Sequence, residues 1–180
     1  MTQRSNRPVF GGIFVGGRGT RMGGVAKGLL KTHAGETYVD RWIGLFRTLS
    51  LSPILVGAHE AYANVPIEQI ADAAPGIGPL GGLVALLERG PAIAVACDMP
   101  FVSRTLLERL RDFPSDQPIV APKRDGKWEP LFARYDVRAL ELARENARVG
   151  KHSLQSLLDV LAAEMPLSIE EAAELEDRDR

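Results

Sequence analysis

Hydrophobic positions gather in short runs rich in β-branched residues at 9–15, 53–56, 92–97, 118–121 and 131–133, with helical spacings between several of them. Brief apolar runs bounded by turn residues predict strands buried on both faces. Between them, Val39, Trp42, Ile43 and Phe46 recur at helical spacing within 37–46. They form one apolar stripe, which predicts an amphipathic helix with Trp42 in the packing. Residues 80–87 predict a helix entered through Pro79, and Ser103 is placed to cap another over 104–110. Residues 136–147 and 153–163 predict two more amphipathic helices. Alternating strands and helices imply an α/β fold, a mostly parallel twisted sheet with helices on both faces, and a single domain over 1–180. The charged tail, 170–180, reads as a solvated end.

In such a sheet, ligands sit at the carboxyl ends of the strands. The first strand runs straight into Gly16, Gly17, Arg18, Gly19, Thr20, Arg21, Met22, Gly23, Gly24, Val25, Ala26 and Lys27. Glycines let a backbone bend sharply and aim several N–H groups at one anion, while Arg offers a flat fork and Lys a mobile charge for phosphate oxygens. The turn therefore reads as a polyphosphate site. It is not a Walker loop, because Lys27 is followed by Gly28 instead of Ser or Thr. The dinucleotide pattern begun at Gly17 would need glycine where Met22 stands. What remains, G-G-x-G-x-R-M-G-G-x-x-K, is longer and more basic than either.

Composition narrows the classes further. With 45% hydrophobic and 25% charged residues the chain matches ordinary globular proteins, and a net charge of -1 gives no broad field for nucleic acid. No stretch has the length to span a bilayer, and the polar start lacks the apolar core of a secretory signal, so a cytoplasmic setting without membrane association is expected. The only cysteine, Cys97, lies in an apolar run and reads as a small buried strand residue in a reducing compartment. His33, His59 and His152 show no metal-cluster spacing with it.

Asp98 follows the 92–97 run directly and precedes Met99 and Pro100. Magnesium prefers one or two carboxylates together with substrate phosphates and water, so Asp98 is the candidate metal residue. The alternative is an Asp that merely turns the chain before Pro100. Trp128, Glu129 and Pro130 follow a charged stretch, Lys123 to Lys127, that reads as a β-hairpin with a charged turn, the alternative being an acceptor contact that the family resemblance given next implies for this region. Gly150, Lys151 and His152 either bind a phosphate or link two helices.

Taken together, the loop from Gly16 to Leu30, the second glycine segment Gly78-Pro79-Leu80-Gly81-Gly82-Leu83 and the Cys97-Asp98-Met99-Pro100 segment resemble the GT-A-like nucleotidyltransferases, and within them the molybdenum cofactor guanylyltransferase branch. The resemblance implies a Rossmann-like nucleotide-diphospho-sugar transferase fold and transfer of GMP from GTP to molybdopterin, with Mg2+ as cofactor. It also implies that Phe14, Val15 and Gly16, with Gly17 and Gly19, hold the nucleotide and that Lys27 contacts its phosphates. His59 would lie near the base, Asp72 would help hold the nucleotide, and Asp98 would carry the metal. For such chemistry Lys27, Arg21 and Asp98 are the expected catalytic residues, Arg21 serving the pyrophosphate. A molybdopterin-delivering enzyme is a possible partner. Val15, Ala26 and His59 stand where the family tends to have Ala, Asp and Asn, and Asp179 falls in a closing segment where related transferases use an Asp as a further metal ligand. The competing readings are a CTP-dependent cytidylyltransferase, a sugar-phosphate nucleotidyltransferase and an inactive nucleotide-binding adaptor.

Overall fold

The computed structural model of the chain describes residues 9–15, 26–57 and 59–176. A seven-stranded sheet organises them, in the order β3-β2-β1-β4-β8-β5-β9. Its strands are β1 Phe10–Phe14, β2 Ser52–Val56, β3 Glu68–Ile70, β4 Ala92–Ala96, β5 Ile119–Ala121, β8 Phe132–Tyr135 and β9 Ala162–Glu164. β1, β2, β3 and β4 pair in parallel, as do β5 and β9, while β8 runs antiparallel to both β4 and β5. The expected mostly parallel sheet is therefore present.

Each face carries its own core. Along β1, Ile13 packs into one apolar cluster with Trp42, Phe46, Leu107 and Leu110, while its neighbour Phe14 packs into another with Leu83, Leu86, Leu87 and Leu157. Alternate strand residues thus serve α1 (Tyr38–Thr48) and α3 (Arg104–Asp112) on one side. The other side holds α2 (Pro79–Arg89), α4 (Leu140–Arg148) and α5 (Leu154–Leu161). The helices crowd the sheet closely at β1: a Cβ on Gly11 would run into the Phe46 ring, and one on Gly12 would run into Leu86. Glycine in the middle of a central strand is here a requirement of close packing.

The helix starts follow local chemistry. Thr37 and Asp40 close a capping box on α1, Pro79 enters α2, and Ser103 accepts from the Leu106 N–H to cap α3.

Three elements depart from the expectation. β3 is a short edge strand with polar Glu68 and Gln69, too brief and too polar to signal itself. The helix expected over 153–163 ends at Leu161, and residues 162–164 become β9, paired to β5. Pro166 disfavours helix at the preceding residue, and the chain is already extended at Ala162. Part of the tail expected to be solvated is a helix, α6 (Ile169–Glu174), opened by a Ser168/Glu171 capping box. Among the described residues no helix is long and apolar enough to cross a membrane.

Candidate functional site

The register puts the ends of four parallel strands on one edge. Phe14 pairs with Val56 and with Ala96, and Val56 pairs with Ile70. The residues just beyond, Val15, His59, Asp72 and Asp98, are delivered to that edge together. The chain leaves β1 for β2 and β3 on one side and returns to β4 on the other. The gap between β1 and β4 is thus a topological switch point, where a sheet of this kind leaves a crevice for a ligand.

At that point Lys27 and Asp98, 71 residues apart, meet: Nζ lies 3.2 Å from Oδ2. Lys27 opens a short 3-10 turn, Lys27–Leu29, and Asp98 lies just past the end of β4. Their side chains keep 35% and 26% of their surface exposed, so both heads remain reachable from solvent. A carboxylate beside an ammonium at a strand end can hold a cation on one hand and a phosphate oxygen on the other.

The turn after Asp98 is held from two sides. Arg41 of α1 donates through Nε to the Pro100 carbonyl (2.9 Å) and through its terminal nitrogen to the Val102 carbonyl (2.5 Å). Glu174 of α6 accepts from the Ser103 N–H at 2.8 Å. α6 is in turn fastened to α3, where Arg109 pairs with Glu171 and donates to the Pro166 carbonyl. Neither Arg41 nor Glu174 was expected from sequence. The signals were an Arg set between the buried positions Val39 and Trp42, and the S-x-x-E capping pattern at Ser168.

On the Lys27 side, the buried Tyr62 hydroxyl accepts from the Gly28 N–H at 3.1 Å. Burial, with the neighbouring Cys97 and Asp98, pushes Tyr62 up to about 12. Burial likewise pushes the Cys97 thiol up to about 12, so it stays protonated; it is buried as expected but lies in the turn just past the end of β4 and not in the strand itself.

The remaining candidates fall in place as follows. The Val15 N–H donates to the Val56 carbonyl (3.0 Å), and the Phe14 carbonyl accepts from the Cys97 N–H (3.2 Å). The sheet uses these groups. Asp72 sits against the glycines that open α2: a Cβ on Gly82 would lie 3.1 Å from its Oδ1. The Ala73 N–H donates to the Gly81 carbonyl at 3.1 Å, and burial raises the Asp72 carboxyl above its ordinary value. His59 has a local task, its Nδ1 accepting from the Ala61 N–H at 3.1 Å with its ring edge-on to Tyr62. Gly16, Gly17, Gly19, Arg21 and Asp179 lie outside the described residues.

Of the two open segments, the first is a hairpin, β6 (Lys123–Arg124) and β7 (Lys127–Trp128). Its Trp128 is buried, the indole N–H donating to Asp159 at 2.9 Å and the backbone exchanging hydrogen bonds with Gln155. The ring is committed to packing rather than offered to an acceptor. Residues 150–152 link α4 to α5, with the Lys151 N–H donating to the Asn146 carbonyl. Among the described residues there is no group of three or more His, Cys, Asp or Glu that could hold a metal ion by itself.

The family model of the MobA-like NTP transferase domain matches residues 11–165. The chain is 30% identical over 174 residues to the molybdenum cofactor guanylyltransferase of Pseudomonas entomophila (strain L48), covering 92% of this chain and 88% of that protein. It superposes on the crystal structure of molybdopterin-guanine dinucleotide biosynthesis protein A from Archaeoglobus fulgidus with a TM-score of 0.73 at 25% identity, covering 88% and 83% of the two chains. The fold alone is shared with 2-C-methyl-D-erythritol 4-phosphate cytidylyltransferase from Thermus thermophilus, at a TM-score of 0.62 and 14% identity over 92% and 90% of the chains.

Proposed function

Because the chain belongs to the family of MobA-like NTP transferase domains, we propose that it is a nucleotidyltransferase that moves GMP from GTP to molybdopterin. The observation that carries this reading is the meeting of Lys27 and Asp98, 3.2 Å apart at the switch point of the sheet. The relatives named as molybdenum cofactor guanylyltransferases support the choice of GTP and molybdopterin.

In this reaction an oxygen of the molybdopterin phosphate attacks the α-phosphorus of GTP, a new P–O bond forms, the bond to the bridging oxygen breaks, and pyrophosphate leaves. The attacking phosphate is already anionic, so no protein base has to take a proton. Catalysis is then positioning and neutralisation of charge. Lys27 places its ammonium at the α-phosphoryl oxygens as charge grows there, and Asp98 keeps a negative oxygen fixed at the strand end. The donor set fits Mg2+, which takes one or two carboxylates and completes its shell with water and substrate phosphates. When bound at Asp98, the ion would supply charge neutralisation on the phosphates. Arg21 and the glycine-rich segment are assigned to the pyrophosphate end, Phe14, Val15 and Asp72 to the nucleoside side, and His59 to the neighbourhood of the base.

The test is pyrophosphate release by the purified chain with molybdopterin, Mg2+ and each of GTP, CTP and ATP, with the product identified by mass. Turnover with GTP to molybdopterin guanine dinucleotide is expected. Turnover with CTP alone would make it a cytidylyltransferase, and no turnover with any nucleotide would overturn the enzyme reading.

A further inference from the structure

One buried hydroxyl stands behind Lys27. Tyr62 is only 2% exposed, yet its oxygen meets the backbone N–H of Gly28, the residue after Lys27. Cys97, the residue before Asp98, adds to the burial that raises the pKa of this hydroxyl. Gly28 fits there because it has no side chain: a Cβ would stand 2.9 Å from the Tyr62 oxygen and 2.7 Å from Val39. Tyr62 comes from a third element, the short 3-10 turn Glu60–Tyr62 after β2. It therefore ties the turn after β2 to the backbone beside Lys27, 34 residues earlier in the chain.

Phenylalanine would fill the same space without needing a hydrogen-bond partner. The hydroxyl has a cost, since a buried polar group needs its hydrogen bond, and here that bond goes to the one backbone N–H that fixes where the Lys27 stem begins. A long lysine stem holds its head in place only if its base is fixed.

We infer that Tyr62 is a positioning residue: its hydroxyl anchors the backbone beside Lys27 and so fixes the reach of the ammonium to Asp98. The positional part stands on the contacts alone, and the catalytic part rests on the transfer reaction proposed above. Tyr62 acts through Gly28, and its loss costs geometry at the α-phosphorus.

The experiment uses the full chain with Tyr62→Phe, and with Leu157→Ala, a buried change in the opposite core, as the stability control. Lys27 labelling by an amine-reactive reagent is followed by peptide mass mapping, with the exposed Lys151 as internal standard. In Tyr62→Phe the Lys27 rate is expected to rise about threefold or more as local opening becomes easier. In the same variant kcat for GTP should fall about tenfold, as misplacement of a positioning group does. Leu157→Ala should lower the melting temperature at least as far while leaving both readouts within about twofold, as distant independent sites do. An unchanged Lys27 rate in Tyr62→Phe overturns the anchor, and a raised rate with unchanged kcat in an active enzyme overturns the positioning role. If the unaltered chain transfers no nucleotide at all, the proposed function fails, and the labelling alone decides the anchor.

Discussion

The Lys27 to Asp98 contact is a partly exposed ion pair, and pairs of that kind contribute at most about 1 kcal/mol to stability. In the proposed reaction its value is in placing charge, so Lys27→Met should leave thermal stability within about 0.5 kcal/mol while lowering kcat for GTP about 10²- to 10³-fold. Melting curves and pyrophosphate release measured on the same preparation check both halves. Asp72 is the reverse case. Burial raises its carboxyl, so the folded chain disfavours the charge. Stability is undiminished below the pH where the unfolded carboxyl titrates and is lost as pH rises through the folded value. Asp72→Asn removes that penalty. It should be more stable than the unaltered chain at pH 7, by less than about 1 kcal/mol because the group is only partly buried, and the gap should close toward about pH 3. If Asp72 helps hold the nucleotide, the same variant binds Mg-GTP more weakly, a trade of function against stability. Denaturant melts at the two pH values and a nucleotide titration read the two effects separately.

At the scale of elements, the turn from Asp98 to Ser103 is set by helices that do not contain it. Arg41 reaches it from α1 and Glu174 from α6, and together they hold the Pro100 and Val102 carbonyls and the Ser103 N–H. Arg41→Met strands two carbonyls, which should cost about 1–3 kcal/mol in a denaturant melt and loosen Asp98, seen as weaker binding of Mn2+ in the presence of GTP. Ser168→Ala opens the capping box of α6 and should cost about 1 kcal/mol. Amide exchange at Ser103 should rise with it, since Glu174 rides on that helix. The same elements explain what the sequence could tell. The place of Asp98 at a strand end was legible because a carboxylate after a buried strand is a local pattern, and α1 and α3 were legible because the stripe of the one and the cap of the other are local too. β9 was not, because residues 162–163 continue the helical periodicity of α5, and only pairing with β5 across the fold draws them into a strand. α6 carried its S-x-x-E signature, but the charge around it hid the helix.

The whole molecule works by topology. Parallel strands deliver Val15, His59, Asp72 and Asp98 to one edge, and the reversal of strand order between β1 and β4 opens the place where Lys27 and Asp98 meet. Sequence reading reached that edge through the rule that ligands sit at strand ends. It could not reach Tyr62, whose role depends on a hydroxyl packed against Gly28 from another element, nor Arg41, whose partners are backbone atoms 59 and 61 residues away. Side-chain chemistry in a motif is written locally, while the supports that aim it are contacts between distant segments and exist only in the fold. The most direct measurement of the central claim is isothermal titration of the intact chain with GTP and Mg2+, beside Asp98→Ala. Saturable one-to-one binding that needs the metal and is lost, or weakened about 100-fold, in a variant that still melts cooperatively is what the account predicts. Equal binding by both proteins, or binding indifferent to the metal, would contradict it.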